Sequence, residues 1–341
     1  MKNILIFFII LNNSLFLLSQ KDSLNKINWM GIEEAVNLCE STPKKILIDF
    51  YTNWCGPCKM MATNTFTDQN IVNYVNANFY AVKFNAEGQD SIIYKGKTYK
   101  NPNFDKEKTG RNSTHEFTFE LAPVNGRIAY PTIVYLDEKL NLLSAIPGYL
   151  TPTKIQPILI YFAENINRIC QYDNFSSNFI KTFYDTTYAN SEKKTEWTSL
   201  NIAQKKVKSE PRKILLYIYS DWSLTAKMMK DVVYEDSTIS EYLNEKFYTV
   251  SFNATSTDSV LFNGTTYINE NKAHPFHQFA ITLMNGNLAF PSTIYINDDL
   301  TLITAIPGYY DENNVKLIIR YFGEDYYKKM NWEDYIKQNQ N

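Results

Sequence analysis

Residues 46–61, ILIDFYTNWCGPCKMM, return in altered form at 214–229 as ILLYIYSDWSLTAKMM. Each copy opens on a near-continuous apolar run, the signature of a strand buried on both faces. In the first copy a Gly-Pro pair follows, which suits the opening turn of a helix, where proline lacks only an N–H that has no partner there. The stretch therefore reads as strand, tight junction, helix. Its recurrence means that the fold built on it is present twice.

Working outward, the two copies stay in register. VYLDEKLNLLSAIPGY (134–149) faces IYINDDLTLITAIPGY (294–309), and Asn125-Gly126 before Tyr130-Pro131 faces Asn285-Gly286 before Phe290-Pro291. The match starts near Trp29 and Trp197 and ends beyond Phe162 and Phe322. In the first copy, Ile32, Ala35, Val36 and Cys39 fall on one helical face. Strands are expected at 45–51, 79–84, 132–136 and 140–145, with an inserted hairpin at Lys95-Gly96 echoed by Asn263-Gly264. A closing helix is expected over 151–165, with Pro152 in its first turn. Strands alternating with helices and ending in a hairpin give an α/β class, with a mixed central sheet sandwiched by helices. The organisation read from the chain is a signal peptide at 1–19, a first domain at 27–166, a linker at 167–195, a second domain at 196–330 and a tail at 331–341.

Composition limits the function classes. With 34 basic and 36 acidic residues the net charge is −2, so no basic surface argues for nucleic acid. The 25 Tyr and 21 Phe read first as core filling and second as an apolar binding surface. Lys2 precedes an apolar run from Ile4 to Leu18, and Ser19 follows, which is the pattern of a secretory leader. The run is short of the ~20 residues that span a bilayer. An exported protein, periplasmic or extracellular, with no stable membrane span after cleavage is the expectation.

Only four cysteines are present, Cys39, Cys55, Cys58 and Cys170, too few for a disulfide-stapled secreted scaffold. A C-x-x-C alone also fits a zinc site or a structural bridge, but no second pair completes a Cys₄ set, and no metal or other cofactor is expected. The segment 49–59, DFYTNWCGPCK, together with Lys83-Phe84-Asn85 and Tyr130-Pro131-Thr132, resembles the thioredoxin-like family. The resemblance covers most of 28–165, with an insertion near 86–120, and again 196–325.

That resemblance implies a Cys55–Cys58 redox disulfide. Cys55 would sit at a helix N-terminus, whose unpaired N–H groups and dipole favour a thiolate; thioredoxin itself is among the standard examples of a thiol lowered this way. Cys55 is thus expected as nucleophile, and Cys58, one turn on and less exposed, as the resolving thiol. Asp49 matches the family's buried proton-transfer carboxylate and Lys83 the lysine paired with it. Trp54, Gly56, Pro57, Tyr130 and Pro131 are the expected substrate-facing residues, Tyr130-Pro131 resembling the family's X-cis-Pro loop. Tyr130 departs from the smaller aliphatic residue common there.

In the second copy Cys55 becomes Ser223, Cys58 becomes Ala226, Asp49 becomes Tyr217 and Lys83 becomes Ser251, so that copy is expected to be redox-inactive. Cys39 and Cys170 align with Val207 and Met330 and read first as buried thiols in apolar places, with a Cys39–Cys170 disulfide as the alternative. His115, His274 and His277 read as surface or capping residues. The function expected is an exported thiol–disulfide oxidoreductase that reduces or isomerises disulfides. Its partners would be disulfide or dithiol protein substrates and a redox partner that the sequence does not identify. The rival is a non-enzymatic scaffold in which Cys55–Cys58 is a structural bridge.

Overall fold

The computed structural model describes residues 26–189, 192–272 and 274–339; the expected leader at 1–19 lies outside them. The chain divides into two compact units between Ala163 and Glu164. Two five-stranded sheets, one in each unit and each flanked by helices, form a tandem α/β fold.

In the first unit the elements run β1 (Trp29–Met30), α1 (Ile32–Ser41), β2 (Lys45–Tyr51), α2 (Gly56–Asn64), α3 (Gln69–Asn78) and β3 (Phe79–Asn85). There follow the hairpin β4 (Ile92–Tyr94) and β5 (Lys97–Tyr99), then α4 (Glu116–Leu121), β6 (Thr132–Leu136), β7 (Leu142–Pro147) and α5 (Pro152–Ala163). The sheet order is β1-β3-β2-β6-β7, with β2 parallel to β3 and antiparallel to β6. β2 is therefore paired along both edges and covered on both faces, which is why its sequence is almost wholly apolar. Side chains alternate between faces along a strand. Ile46, Ile48 and Phe50 join Ile32, Val82 and Phe117 in one core, so Asp49 is turned to the opposite face.

Two helices that apolar periodicity does not single out are set by their caps. Asp68 starts α3 by accepting from the N–H groups of Asn70 and Ile71, and His115 starts α4 by accepting from Phe117 N.

The second unit repeats the plan. It begins with α6 (Tyr172–Phe183) and α7 (Thr186–Ala189), then β8 (Trp197–Thr198), α8 (Leu200–Ser209), β9 (Lys213–Tyr219) and α9 (Leu224–Met228), which runs into a π-helical turn at Met229–Val233. α10 (Ser237–Lys246), β10 (Phe247–Asn253), β11 (Val260–Phe262), β12 (Thr265–Tyr267), α11 (Gln278–Leu283), β13 (Ser292–Ile296), β14 (Leu302–Pro307), α12 (Glu312–Gly323) and α13 (Trp332–Asn339) complete it. The sheet order is β8-β10-β9-β13-β14, the first unit's order element for element.

The units differ in what covers the helix after the central strand. In the second unit α6 packs against α9 and the π-helical turn. Its Phe175 ring lies 5.5 Å from Tyr309, and Asn178 donates to Tyr309 Oη and Glu312 Oε2, both at 3.0 Å. Phe175 and Phe179 are fully buried, worth about 1.5–3 kcal/mol each against exposure. Met228 is 0% exposed beneath this cover, whereas its counterpart Met60 is 50% exposed.

Candidate active site

The strand-to-helix junction places both cysteines. Cys55 has extended backbone angles and caps α2: its Sγ accepts from Cys58 N at 3.1 Å. The first-turn amide thus points at sulfur, as it would at a capping oxygen, and the helix dipole adds to the same field. Pro57 occupies the first turn, where its missing N–H costs no hydrogen bond. Cys55 and Cys58 form a disulfide with S–S 2.07 Å and Cα–Cα 5.3 Å. Both are buried, at 2% and 6% exposure, so the expected ordering, with Cys58 the less exposed, does not hold in the disulfide state.

Behind the disulfide, on the α2 side of β2, lies a cavity of about 140 Å³ lined by Asp49, Tyr51, Thr52, Asn53, Cys58, Lys59, Ala62 and Lys83. That volume holds several waters, each taking about 30 Å³ in the liquid, and the lining supplies polar partners. Asp49 is buried, and its Oδ1 has no hydrogen-bond partner. Burial pushes its carboxyl up to about 7, against the pull of the Lys83 charge. Asp49 and Lys83 are register partners across β2 and β3. They form no direct ion pair; the ammonium lies 5.0 Å over the Tyr51 ring and 5.8 Å from that of Trp29. Burial therefore wins, and Asp49 titrates near neutrality.

The rim is built by two loops. Tyr130-Pro131 is a cis peptide, and the Tyr130 ring stands edge-on to Trp54 at 6.0 Å. On the other side, Trp54 Nε1 donates to Glu87 Oε2 at 2.8 Å, and the same oxygen accepts from Asn112 N at 2.8 Å. The Arg111 guanidinium stacks 4.2 Å from the Trp54 ring centroid. Glu87 and Arg111 were not among the residues expected from sequence. The signal available was the repeat itself: counting from Ala86/Ala254 and His115/His277, Glu87 faces Thr255 and Arg111 faces Ala273.

In the second unit the same junction survives without its chemistry. Ser223 caps α9, accepting from Ala226 N at 3.2 Å, and its Oγ donates to Phe290 O at 3.2 Å. Tyr217 fills the place of Asp49 and donates to Ala226 O at 2.7 Å. Ser251 replaces Lys83, but Lys230 restores the cation from another element, 5.4 Å over Trp197 and 5.0 Å over Tyr219. Comparing aligned positions alone loses that lysine. What the unit lacks is the dithiol and a counterpart of Asp49; its nearby carboxylate, Glu164, accepts from Thr225 Oγ1 at 2.7 Å instead.

The remaining expected candidates are structural. Cys39 and Cys170 are not joined in a disulfide: Cys39 is buried and its Sγ donates towards Lys44 O and Glu138 O, while burial, with the Asp311 and Glu312 charges, pushes the Cys170 thiol up to about 12. His115 and His277 are wholly buried caps: each Nδ1 accepts an N–H, so Nε2–H donates to Asp90 O and Asp258 O respectively. Among the described residues no cluster of metal-ligating side chains occurs, and no helix is long and apolar enough to cross a membrane.

Comparison with known proteins gives the fold a family. A 21-residue segment is 67% identical to a thioredoxin of Mycoplasmoides gallisepticum, 6% of this chain and 21% of that protein. Another such segment, also 67% identical over 21 residues, matches a thioredoxin-like protein of Synechocystis, 6% of this chain and 20% of that one. The chain thus spans about a fifth of the length of these curated relatives. Among solved structures, a thioredoxin from Thermus thermophilus aligns at 15% identity and TM-score 0.29, covering 40% of this chain and 87% of that one. A thioredoxin-fold protein from Helicobacter pylori aligns at 18% and 0.30, covering 41% and 81%. A model of the thioredoxin-like domain matches twice, over residues 32–163 and 200–323. These two matches take in more than half of the chain, and the protein belongs to the thioredoxin-like family as a tandem of two such domains.

Proposed function

We propose that this protein is an exported thiol–disulfide oxidoreductase that reduces or isomerises disulfides in protein substrates through the Cys55/Cys58 dithiol. The observation that carries the reading is the pairing of a helix-capping Cys55 sulfur with a buried Asp49 carboxyl, across a cavity that Cys58 also lines. A structural bridge has no use for a carboxyl held near neutrality, and burying one costs stability.

The steps balance as follows. Reduced Cys55, as thiolate, attacks one sulfur of a substrate disulfide, forming a mixed disulfide and releasing the other substrate sulfur as thiolate. Cys58 then loses its proton to the Asp49 carboxylate and attacks Cys55 Sγ. The second substrate thiolate departs, and the Cys55–Cys58 disulfide re-forms. Two electrons pass to the substrate; an external dithiol returns them. In isomerisation the substrate's own thiol resolves the mixed disulfide, and no net electrons move. The second unit contributes no redox step. The leader-like residues at 1–19 support export.

Insulin reduction driven by dithiothreitol tests the reading. The wild-type chain is expected to accelerate B-chain precipitation, and Cys55→Ser to return it to the uncatalysed rate. Full activity in Cys55→Ser sinks the proposal.

A further inference from the structure

We propose that Arg111 is a specificity-determining residue that selects substrates carrying a carboxylate beside the disulfide to be attacked. The inference rests on the oxidoreductase reading and adds to it a substrate class.

Arg111 stands at the rim rather than in a solvated stretch by accident of the loop. Its guanidinium carbon lies over the ring of Trp54, the residue next to Cys55, 4.2 Å from the centroid. The loop that presents it is braced on both sides. Asn112 donates its N–H to Glu87 Oε2 and its Nδ2 to Asp105 O at 2.7 Å, while Ser113 and Asn101 are joined at 2.7 Å through Oγ and Oδ1. Glu87 is itself buried, so its charge is spent on Trp54 and Asn112. Among the described residues Arg111 makes no ion pair, and its side chain is exposed. A planar fork of N–H donors is thus held in place next to the nucleophile with no anion to satisfy it. Such a fork matches a carboxylate in two-point fashion, and stacking on an indole leaves its edge donors free.

The second unit is a built-in control. Its loop keeps the same scaffold: Asn269 Nδ2 donates to Ser256 O and Pro275 O, as Asn101 Nδ2 does to Gly88 O and Ser113 O. The second loop is six residues shorter and differs at other positions too, and both residues that hold the tryptophan are replaced in it, Glu87 by Thr255 and Arg111 by Ala273. Trp222 is 66% exposed, with no cation over it among the described residues. The cation therefore accompanies the dithiol rather than the fold.

The test uses the pre-reduced full-length protein in single turnover with three disulfide peptides. These are identical except that Glu, Gln or Lys precedes the attacked cysteine. At low ionic strength the Glu peptide is expected to react about fivefold faster than the Lys peptide, the scale of an exposed ion pair. The ratio is expected to shrink towards one at about 1 M salt, where the screening length is about 3 Å. Arg111→Gln should bring the ratio to about one at all salt concentrations, and Arg111→Lys should keep part of it. A residue that merely props Trp54 would slow all three peptides alike, so an unchanged Glu-to-Lys ratio in Arg111→Gln overturns the proposal. So does a wild-type ratio of one with all peptides reacting, which leaves the oxidoreductase reading intact. No reaction with any peptide strikes both.

Discussion

Replacing Asp49 by Asn should stabilise the first unit, and only above mildly acidic pH. The carboxyl is buried, one of its oxygens has no hydrogen-bond partner, and its pKa stands at about 7 against an ordinary 3.8. At about 1.36 kcal/mol per unit, that displacement sets a scale of about 4 kcal/mol for charging the group in place. The sign follows from proton counting. Between about pH 4 and pH 7 the native unit holds a proton that the unfolded chain has released, so stability falls as pH rises through that window and levels off above it. Asn has nearly the same shape and does not titrate. Oxidised full-length Asp49→Asn should match wild type near pH 4 and exceed it by about 3–4 kcal/mol near pH 8. Because two units unfold in one chain, a bulk transition is ambiguous. Urea titration read by pulsed hydrogen exchange, at one labelling pH, separates the amides of β2 from those of β9. The β9 amides surround Tyr217 and serve as the reference. Parallel pH profiles for the two proteins in β2, or a shift of equal size in β9, would refute the reasoning.

Two further outcomes concern the second unit. Ser223→Cys with Ala226→Cys should form a disulfide, because Ser223 already caps its helix as Cys55 does. It should nonetheless leave insulin reduction within about twofold of wild type and give no activity when Cys55 is Ser, since the flanking Thr225 and Met228 are buried and Tyr217 stands where Asp49 does in the first unit; restored turnover would contradict this. Tyr217→Phe removes one of the donors to the Ala226 carbonyl, leaving the Met229 N–H, in a fully buried place. It should cost the second unit about 1 kcal/mol in denaturant titration while leaving the β2 amides untouched.

The fold was legible because β2 and β9 are near-continuous apolar runs, each followed by a helix-starting junction, so that the pattern is written twice. Asp49 and the two cysteines sit in that same stretch, so their assembly needs no distant information. The rim was harder. Trp54 and Glu87 are joined across 33 positions, and Arg111 comes from still farther along an insertion with no periodicity of its own. A difference between repeats, Glu87 for Thr255, was the available signal. Lys230 shows the limit of aligned positions: it does for the second unit what Lys83 does in the first, from a different element. Within 167–195, Phe175, Asn178 and Phe179 recur at helical spacing and bury one face. Such a short run carries little weight beside the stretch's Asn, Ser and Tyr content.

The central claim is that Cys55 is the sulfur that meets substrate. Full-length reduced Cys58→Ser, mixed with oxidised insulin and mapped by mass spectrometry without reductant, reads this directly. The account predicts a mixed disulfide on Cys55 that dithiothreitol releases. No adduct, or an adduct confined to Cys39 or Cys170, would contradict it.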